Sequence, residues 1–208
     1  MFDFLFKQYS DYQTLDVFLE IFAVVFGILS VWFSKKNNVL VFPTGMISTS
    51  IFTYLLFKWS LLGDMIINAY YFIMSVYGWY IWTRKENNVV TPISKVNFRE
   101  KVTCFVIFSC SLIFIFCVYQ YFDKWGSYTS YIDNFTTAVF FVGMWLMAKR
   151  KIENWKFWIV GNIISIPLYF YKGLTFTSFQ YIIFTVIAVL GYYSWKKILN
   201  KTNQTASR

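Results

Sequence analysis

The chain contains no histidine among its 208 residues. It therefore lacks the side chain that most often serves as general base, metal ligand and triad member. Charged residues are scarce as well, at 14%, where a soluble domain carries about 25%. Cysteine is confined to Cys104, Cys110 and Cys117, all within one apolar run and without Cys-x-x-Cys spacing. These three are expected to be reduced, buried and chemically silent. No phosphate-cradling Gly-x-x-x-x-Gly-Lys-Ser/Thr loop occurs, so nothing points to work driven by nucleotide hydrolysis. The opening MFDFLFKQYSDYQTLD is acidic and lacks the positive region and cleavage site of an export signal, so the first apolar run is expected to be retained. Catalysis and cofactor chemistry are disfavoured, and no cofactor or metal is expected.

What is present is apolar and aromatic. Hydrophobic residues make up 58% and aromatic ones 24%, with mean hydropathy +0.50. That is more ring surface than one small core requires, and it suggests interfacial belts and an aromatic-lined cavity. A net charge of +9 raises nucleic acid as a partner. The basic residues, however, sit in short clusters between apolar runs rather than on a continuous stripe, and they read as topology signals instead.

A membrane-crossing helix needs roughly 17 to 25 mainly apolar residues. Runs of this kind occur at 17–33, 39–57, 61–82, 102–122, 133–148, 155–171 and 174–195, predicting an all-α integral membrane protein with seven transmembrane helices and no soluble domain. Placing the N-terminus outside assigns 15 of the 19 basic residues to the cytoplasmic side, among them Lys35, Lys36, Arg84, Lys149, Arg150 and Lys151. Only Lys7, Lys58, Lys124 and Lys172 fall outside, together with Asp16, Glu20, Asp64 and Asp133. The positive-inside rule thus predicts N-terminus out and C-terminus in, in a cytoplasmic membrane.

The two halves resemble each other. Gly78-Trp79-Tyr80-Ile81-Trp82 ends the third run and Gly191-Tyr192-Tyr193-Ser194-Trp195 ends the seventh, while Trp32 and Trp145 close the first run of each half. The expected organisation is a single transmembrane domain of three plus one plus three helices, with parallel repeats at 16–83 and 133–196, a connecting helix at 102–122 and a disordered tail at 200–208.

Polar residues at membrane depth face the bundle or a wet route, because lipid offers them no partner. The deepest are Asn68, Asn162 and Gln180, with Ser48, Thr49, Ser50 and Thr53 in the second run. Asn68 and Gln180 stand at nearly equivalent places in the two halves. Amides suit hydroxyls and a carboxamide, and they equally serve inter-helix hydrogen bonds worth roughly 0.6 to 2 kcal/mol. Rings lie close by, with Tyr70, Tyr71 and Phe72 beside Asn68, Trp158 one turn before Asn162, Tyr169 beyond it, and Tyr181 after Gln180. They can form a stacking pocket for a flat organic cation or simply pack. Charged residues stay near the span ends, which argues against a proton relay and favours facilitated diffusion. Pro43, Gly45, Gly161 and Pro167 are candidate flexible points.

Glu153-Asn154-Trp155, Trp158, Asn162-Ile163-Ile164-Ser165, Tyr171-Lys172-Gly173 and Gln180-Tyr181-Ile182-Ile183-Phe184-Thr185 follow one another in an order that resembles the nicotinamide riboside transporter family, PnuC. Tyr77-Gly78-Trp79-Tyr80-Ile81-Trp82 resembles that family's YGWYxW segment, so the resemblance spans nearly the whole chain. It implies a homotrimer with a separate route in each protomer, and facilitated diffusion followed by trapping through intracellular phosphorylation. Trp158 and Asn162 match the family's Trp-x-x-x-Asn. Asn68 stands where a relative has Gln, and Gln180 where some have Glu. The expected substrate-binding set is Asn68, Tyr71, Trp158, Asn162, Tyr169 and Gln180. The expected cargo is nicotinamide riboside, with thiamine or another vitamin as the alternative. A seven-helix receptor is the competing reading from another class, and the short loops leave little room for its coupling surface.

Overall fold

The computed structural model describes residues 14–58, 62–86, 89–123, 125, 128–171 and 175–206. Each of the seven apolar runs becomes a helix, with ends within about five residues of expectation except the C-terminal end of the seventh, which runs on to Ala206. These are α1 (Thr14–Lys35), α2 (Val41–Lys58), α3 (Leu62–Thr83), α4 (Phe98–Tyr121), α5 (Tyr128–Ala148), α6 (Asn154–Tyr171) and α7 (Thr175–Ala206). The shortest, of 18 residues, extend about 27 Å at 1.5 Å per residue, close to the roughly 30 Å of a hydrocarbon core. The protein is thus a seven-helix membrane protein, counting the helices among the described residues.

By length and composition alone, Thr14–Lys35, Phe98–Tyr121 and Ser178–Thr202 are the helices apolar enough to cross a membrane among the described residues. The others are diluted by Ser, Thr and Asn that turn inward, among them Ser48 and Thr49 of α2 and Asn162 and Ser165 of α6. Their lower hydropathy follows from what they face.

Two expectations need correction, and one small element is added. Residues 200–206 continue α7 where a disordered tail was expected. The segment Lys196 to Asn200 contains no glycine or proline to stop the helix, and Thr202 Oγ1 donates back to Ile198 O at 3.1 Å. The cysteines are not buried. Cys110 and Cys117 are exposed and Cys104 is half-buried, because α4 lies at the edge of the bundle and turns them away from it. Finally, a two-residue antiparallel pair, β1 (Lys85–Glu86) with β2 (Val89–Val90), forms in the loop before α4. Such short strands do not change the all-α class.

α4 begins with a reciprocal cap, in which Asn97 Oδ1 accepts from the Glu100 amide and Glu100 accepts from the Asn97 amide. This satisfies two of the four donors that a helix start leaves unpaired. Neighbouring pairs α1–α2, α2–α3, α3–α5, α5–α6, α6–α7 and α7–α1 pack in turn, and α4 packs against α5. Six helices therefore close a ring with α4 outside it.

The turns that join α1 to α2 and α5 to α6 correspond bond for bond at a spacing of 113 residues. Asn37 N donates to Ser34 O at 2.9 Å and Arg150 N to Met147 O at 2.9 Å. Val41 N donates to Asn38 O at 3.1 Å and Asn154 N to Lys151 O at 3.1 Å. Both turns pivot on a left-handed residue, Asn37 with φ 53° and Arg150 with φ 53°. The helices of each half then meet through the same contact. A Cβ on Gly78 would lie 2.2 Å from the Phe42 ring, and one on Gly191 would lie 2.5 Å from the Trp155 ring. Only glycine lets these rings lie flat against α3 and α7.

The halves are fastened to each other crosswise at this end of the bundle, which we call the basic end after Lys35, Lys36, Lys149 and Lys151. Trp82 Nε1, from the first half, donates to Ala148 O at 3.1 Å and Met147 O at 3.3 Å in the second. Trp195 Nε1, from the second half, donates to Ser34 O at 2.9 Å in the first. The two indoles lie 5.8 Å apart, and Trp155 meets Trp195 edge-on at 5.6 Å. With Phe42 and Met147 they form a buried cluster. Burying such rings is worth roughly 25 cal/mol per Å² of apolar area, which helps hold the basic end closed.

Candidate functional site

Inside the ring lies a cavity of about 790 Å³. Its lining runs from Glu20 on α1 and Asp133 on α5, near the starts of those helices, to Ser34, Met147 and Trp155 at the basic end. All six residues expected from the sequence to bind substrate, namely Asn68, Tyr71, Trp158, Asn162, Tyr169 and Gln180, lie on this one surface. They come from α3, α6 and α7, and helical periodicity turns Trp158, Asn162, Ser165 and Tyr169 of α6 to the same face.

Tyr70 and Phe72, adjacent to the site in sequence, do not line it. Tyr70 donates to Phe141 O at 3.1 Å and stacks on that ring at 3.8 Å, tying α3 to α5. Phe72 is exposed on the outer face.

A ring that the sequence reading missed organises the aromatic wall. Phe140 of α5 stacks on Trp158 at 5.4 Å and on Tyr181 at 6.2 Å, and Tyr181 stacks on Tyr169 at 5.1 Å. The row Trp158–Phe140–Tyr181–Tyr169 therefore presents a nearly continuous face of parallel rings. Phe140 can lie there because Gly161 has no side chain, since a Cβ at that position would sit 2.2 Å from the Phe140 ring. The signal in the sequence was this glycine, one residue before Asn162.

The opposite wall is built differently from equivalent positions. Gly27 stands 113 residues before Phe140 and Ser48 the same distance before Gly161. Here Gly27 faces Ser48, whose Oγ lies 3.2 Å from where its Cβ would be. Gly45 stands likewise for Trp158 and Ser30 for Gly143, and Gly45 faces the Ser30 hydroxyl at 3.0 Å. Each large-against-small pair of the second half is replaced in the first by small-against-small. One side of the cavity is a wall of rings and the other a wall of hydroxyls.

Those hydroxyls are largely engaged. Ser30 Oγ donates to Val41 O at 2.7 Å, Ser48 Oγ to Ala23 O at 2.8 Å and Thr49 Oγ1 to Gly45 O at 2.9 Å. The first two hold α1 to α2, the third stays within α2, and all three still offer acceptor lone pairs to the cavity. Ser165 and Trp155 are different, being 1% exposed, with no partner among the described residues for the Ser165 Oγ or the Trp155 indole N–H. The amide pairing expected across the halves is displaced by one residue. At the spacing of 113, Asn68 corresponds to Tyr181, and Gln180 to Ile67. The amides thus lie at neighbouring rather than equivalent heights.

At the basic end the cavity stops against the tryptophan cluster, and Arg150 reinforces this floor. Its guanidinium lies 4.1 Å from the centre of the Trp82 ring and donates through Nη1 to Thr91 O. Burial lowers its pKa from the ordinary guanidinium value. The segment that follows Thr91 is pinned to the same turn, with Ser94 N donating to Arg150 O at 3.1 Å and Ile152 N to Ser94 O at 3.0 Å. The loop before α4 is therefore strapped across the floor.

The fold and sequence agree with known proteins. PnuC of Escherichia coli, named a nicotinamide riboside transporter, is 22% identical over 214 residues, covering 91% of this chain and 88% of that protein. The PnuC protein of Neisseria mucosa, similarly named, is 26% identical over 197 residues, covering 89% and 74%. A riboflavin/roseoflavin transporter, RibM of Streptomyces davaonensis, is 25% identical over 126 residues, covering 59% and 58%. A crystal structure of the vitamin B3 transporter PnuC superposes with TM-score 0.67 at 24% identity, over 96% of this chain and 90% of that one, which shows a shared fold. The family model described as nicotinamide mononucleotide transporter matches residues 17–197, and the chain belongs to this family of transporters, the PnuC family.

Proposed function

We propose that the protein carries nicotinamide riboside across a cytoplasmic membrane by facilitated diffusion, with the N-terminus outside and the C-terminus in the cytoplasm. The observation that carries this reading is the convergence of Asn68, Asn162 and Gln180 with the ring wall on one cavity. The cargo is a flat pyridinium joined to a ribose and bearing a carboxamide. The pyridinium stacks on the ring wall, where a desolvated cation gains about 2 kcal/mol. The amides donate to and accept from the ribose hydroxyls and the carboxamide. At mid-depth the cavity offers amides, hydroxyls and rings, which suits passive movement of an organic solute. Phosphorylation in the cytoplasm then traps it.

In this reading the protein works as a homotrimer with one route per protomer, and the cluster of Phe42, Trp82, Trp155 and Trp195 is the closed cytoplasmic gate. Names borne by relatives support the riboside as cargo. A second reading, a flavin as cargo, is supported by the resemblance to RibM, and thiamine is a third cargo of cationic aromatic chemistry.

The test is tryptophan-fluorescence titration of the purified protein with riboside, thiamine and riboflavin, followed by counterflow of labelled riboside in proteoliposomes without an ion gradient. Saturable riboside binding with counterflow is expected, and Asn162→Ala should weaken binding about tenfold, the scale of one or two lost hydrogen bonds. Saturable binding of thiamine or riboflavin that riboside does not displace would transfer the assignment to that vitamin.

A further inference from the structure

Ser165 of α6 lines the cavity and is 1% exposed, and its Oγ has no hydrogen-bond partner among the described residues. A buried hydroxyl without a partner is unfavourable, and a helix offers it an easy remedy in the carbonyl one turn back. Other hydroxyls of the bundle show this remedy and a second. Thr49, Thr136 and Thr185 donate to a carbonyl four residues earlier, and Ser48 and Ser178 donate to a carbonyl of the adjoining helix. Ser165 does neither. Packing does not call for a hydroxyl at this height, because the equivalent position 113 residues earlier is Phe52, which lines the same cavity. The same spacing sets Thr49 against Asn162, and Thr49 Oγ1 is bonded within its own helix. The polar pair therefore belongs to the second half alone, the half that carries the ring wall.

We propose that Ser165 is a specificity-determining residue which, together with Asn162, reads the hydroxyls of the cargo's sugar. This rests on the riboside function above and adds to it a residue and the part of the solute that the residue takes. Asn162 stands one turn before Ser165, is 3% exposed and lines the cavity. Side chains three apart on a helix have Cβ atoms about 5 to 6 Å from each other, close enough to reach neighbouring hydroxyls of one sugar. Trp158 and Tyr169 lie one turn to either side on the same face of α6, and both belong to the ring wall. A flat base stacked on that wall brings its sugar against Asn162 and Ser165. A serine hydroxyl has one proton to give and two lone pairs to receive with, and a sugar hydroxyl has the same, so the contact is reciprocal. A phosphate oxygen or an ether oxygen only accepts. Because Ser165 Oγ bonds the solute and none of the described residues, its free energy lies in binding rather than in folding.

The experiment titrates the full-length protein and its Ser165→Ala variant, following tryptophan fluorescence. The probes are nicotinamide riboside, its 2′-deoxy and 3′-deoxy forms, and 1-methylnicotinamide, which keeps the pyridinium and carboxamide and has no sugar. Ser165→Ala should bind riboside about tenfold more weakly than the wild type, the scale of one buried hydrogen bond. In the wild-type protein one of the two deoxy forms should be weaker than riboside by a similar factor. Ser165→Ala should bind that form as the wild type does, because the contact it removes is already missing. Affinity for 1-methylnicotinamide should hold. The melting temperature of the ligand-free variant should not fall, since no contact with the described residues is lost, and this reports that the variant is folded. Unchanged riboside affinity in Ser165→Ala, an equal loss for riboside and 1-methylnicotinamide, or a further loss for both deoxy forms overturns the proposal and leaves the riboside function standing. Failure of the wild-type protein to bind riboside at all removes both.

Discussion

Replacing Trp195 by phenylalanine should loosen the basic end of the bundle by an amount that the structure sets. The indole N–H donates to Ser34 O at 2.9 Å, and a neutral buried hydrogen bond contributes about 1 kcal/mol. Ser34 O keeps its second donor, the Asn37 amide at 2.9 Å, so no orphaned carbonyl adds to the loss. Shrinking the ring inside a cluster where Trp195 is fully buried adds about 1 kcal/mol more for the space left behind. The sum, about 2 kcal/mol, corresponds to a factor of about 30 in an equilibrium constant. Trp82→Phe should behave alike, because its bonds to Ala148 O and Met147 O mirror the first and Met147 O keeps the Arg150 amide. If these contacts hold the cytoplasmic gate shut, each variant raises the open population by up to that factor. The assay introduces Ser34→Cys into a background whose three native cysteines are serine, and follows labelling by a membrane-impermeant maleimide together with riboside counterflow. Labelling should accelerate about ten- to thirtyfold in each variant. Thermal destabilisation of the expected size with unchanged labelling and counterflow would refute the gate and leave the tryptophans as static fasteners.

Other consequences are as direct. Gly78→Ala and Gly191→Ala should each lower thermal stability by about 1 to 3 kcal/mol, the usual cost of overpacking, and pairing Gly191→Ala with Trp155→Leu should recover part of it in the same melting assay. Arg150→Asn should keep the left-handed turn, as Asn37 does in the other half. It gives up the Trp82 and Thr91 contacts, so limited proteolysis should cut faster between residues 84 and 97 with little change in melting temperature. Asp16→Asn removes an ion pair with Lys58 Nζ at 2.7 Å, in which Asp16 is buried and the Lys58 side chain is 34% exposed. Solvent screening limits the loss to about 1 kcal/mol, measurable as a small fall in melting temperature that high salt erases.

Apolar runs of about twenty residues announced the seven helices, because hydrocarbon leaves the backbone no other partner. The candidate site was legible through its amides and through the spacing of Trp158 and Asn162, since polarity at depth must turn inward. Phe140 was not legible, because a phenylalanine in an apolar run looks the same whether it faces lipid or cargo. Only Gly161, on another helix, decides which it does. Arg150 read as one more topology charge, yet it is buried over Trp82. That depended on a left-handed turn and on a carbonyl 59 residues away, neither of which a local pattern encodes. The cysteines and the tail were misread for a related reason. Apolar character does not distinguish a helix at the bundle edge from one at its centre, and polar composition does not distinguish a chain end from the last turns of a long helix.

The exchange of small and large residues between the two walls bears on the path of the cargo as well as its affinity. A cavity on a true twofold axis would offer an unsymmetrical solute two equivalent poses, each with the pyridinium against a different half. Here Gly27, Ser30, Gly45 and Ser48 stand in the first half where the second has Phe140, Gly143, Trp158 and Gly161, so the two poses are not equivalent. A flat solute in this cavity is therefore expected to stack its ring against the second half alone. A duplicated three-helix unit thereby keeps symmetry in its turns and gives it up in the walls of its cavity.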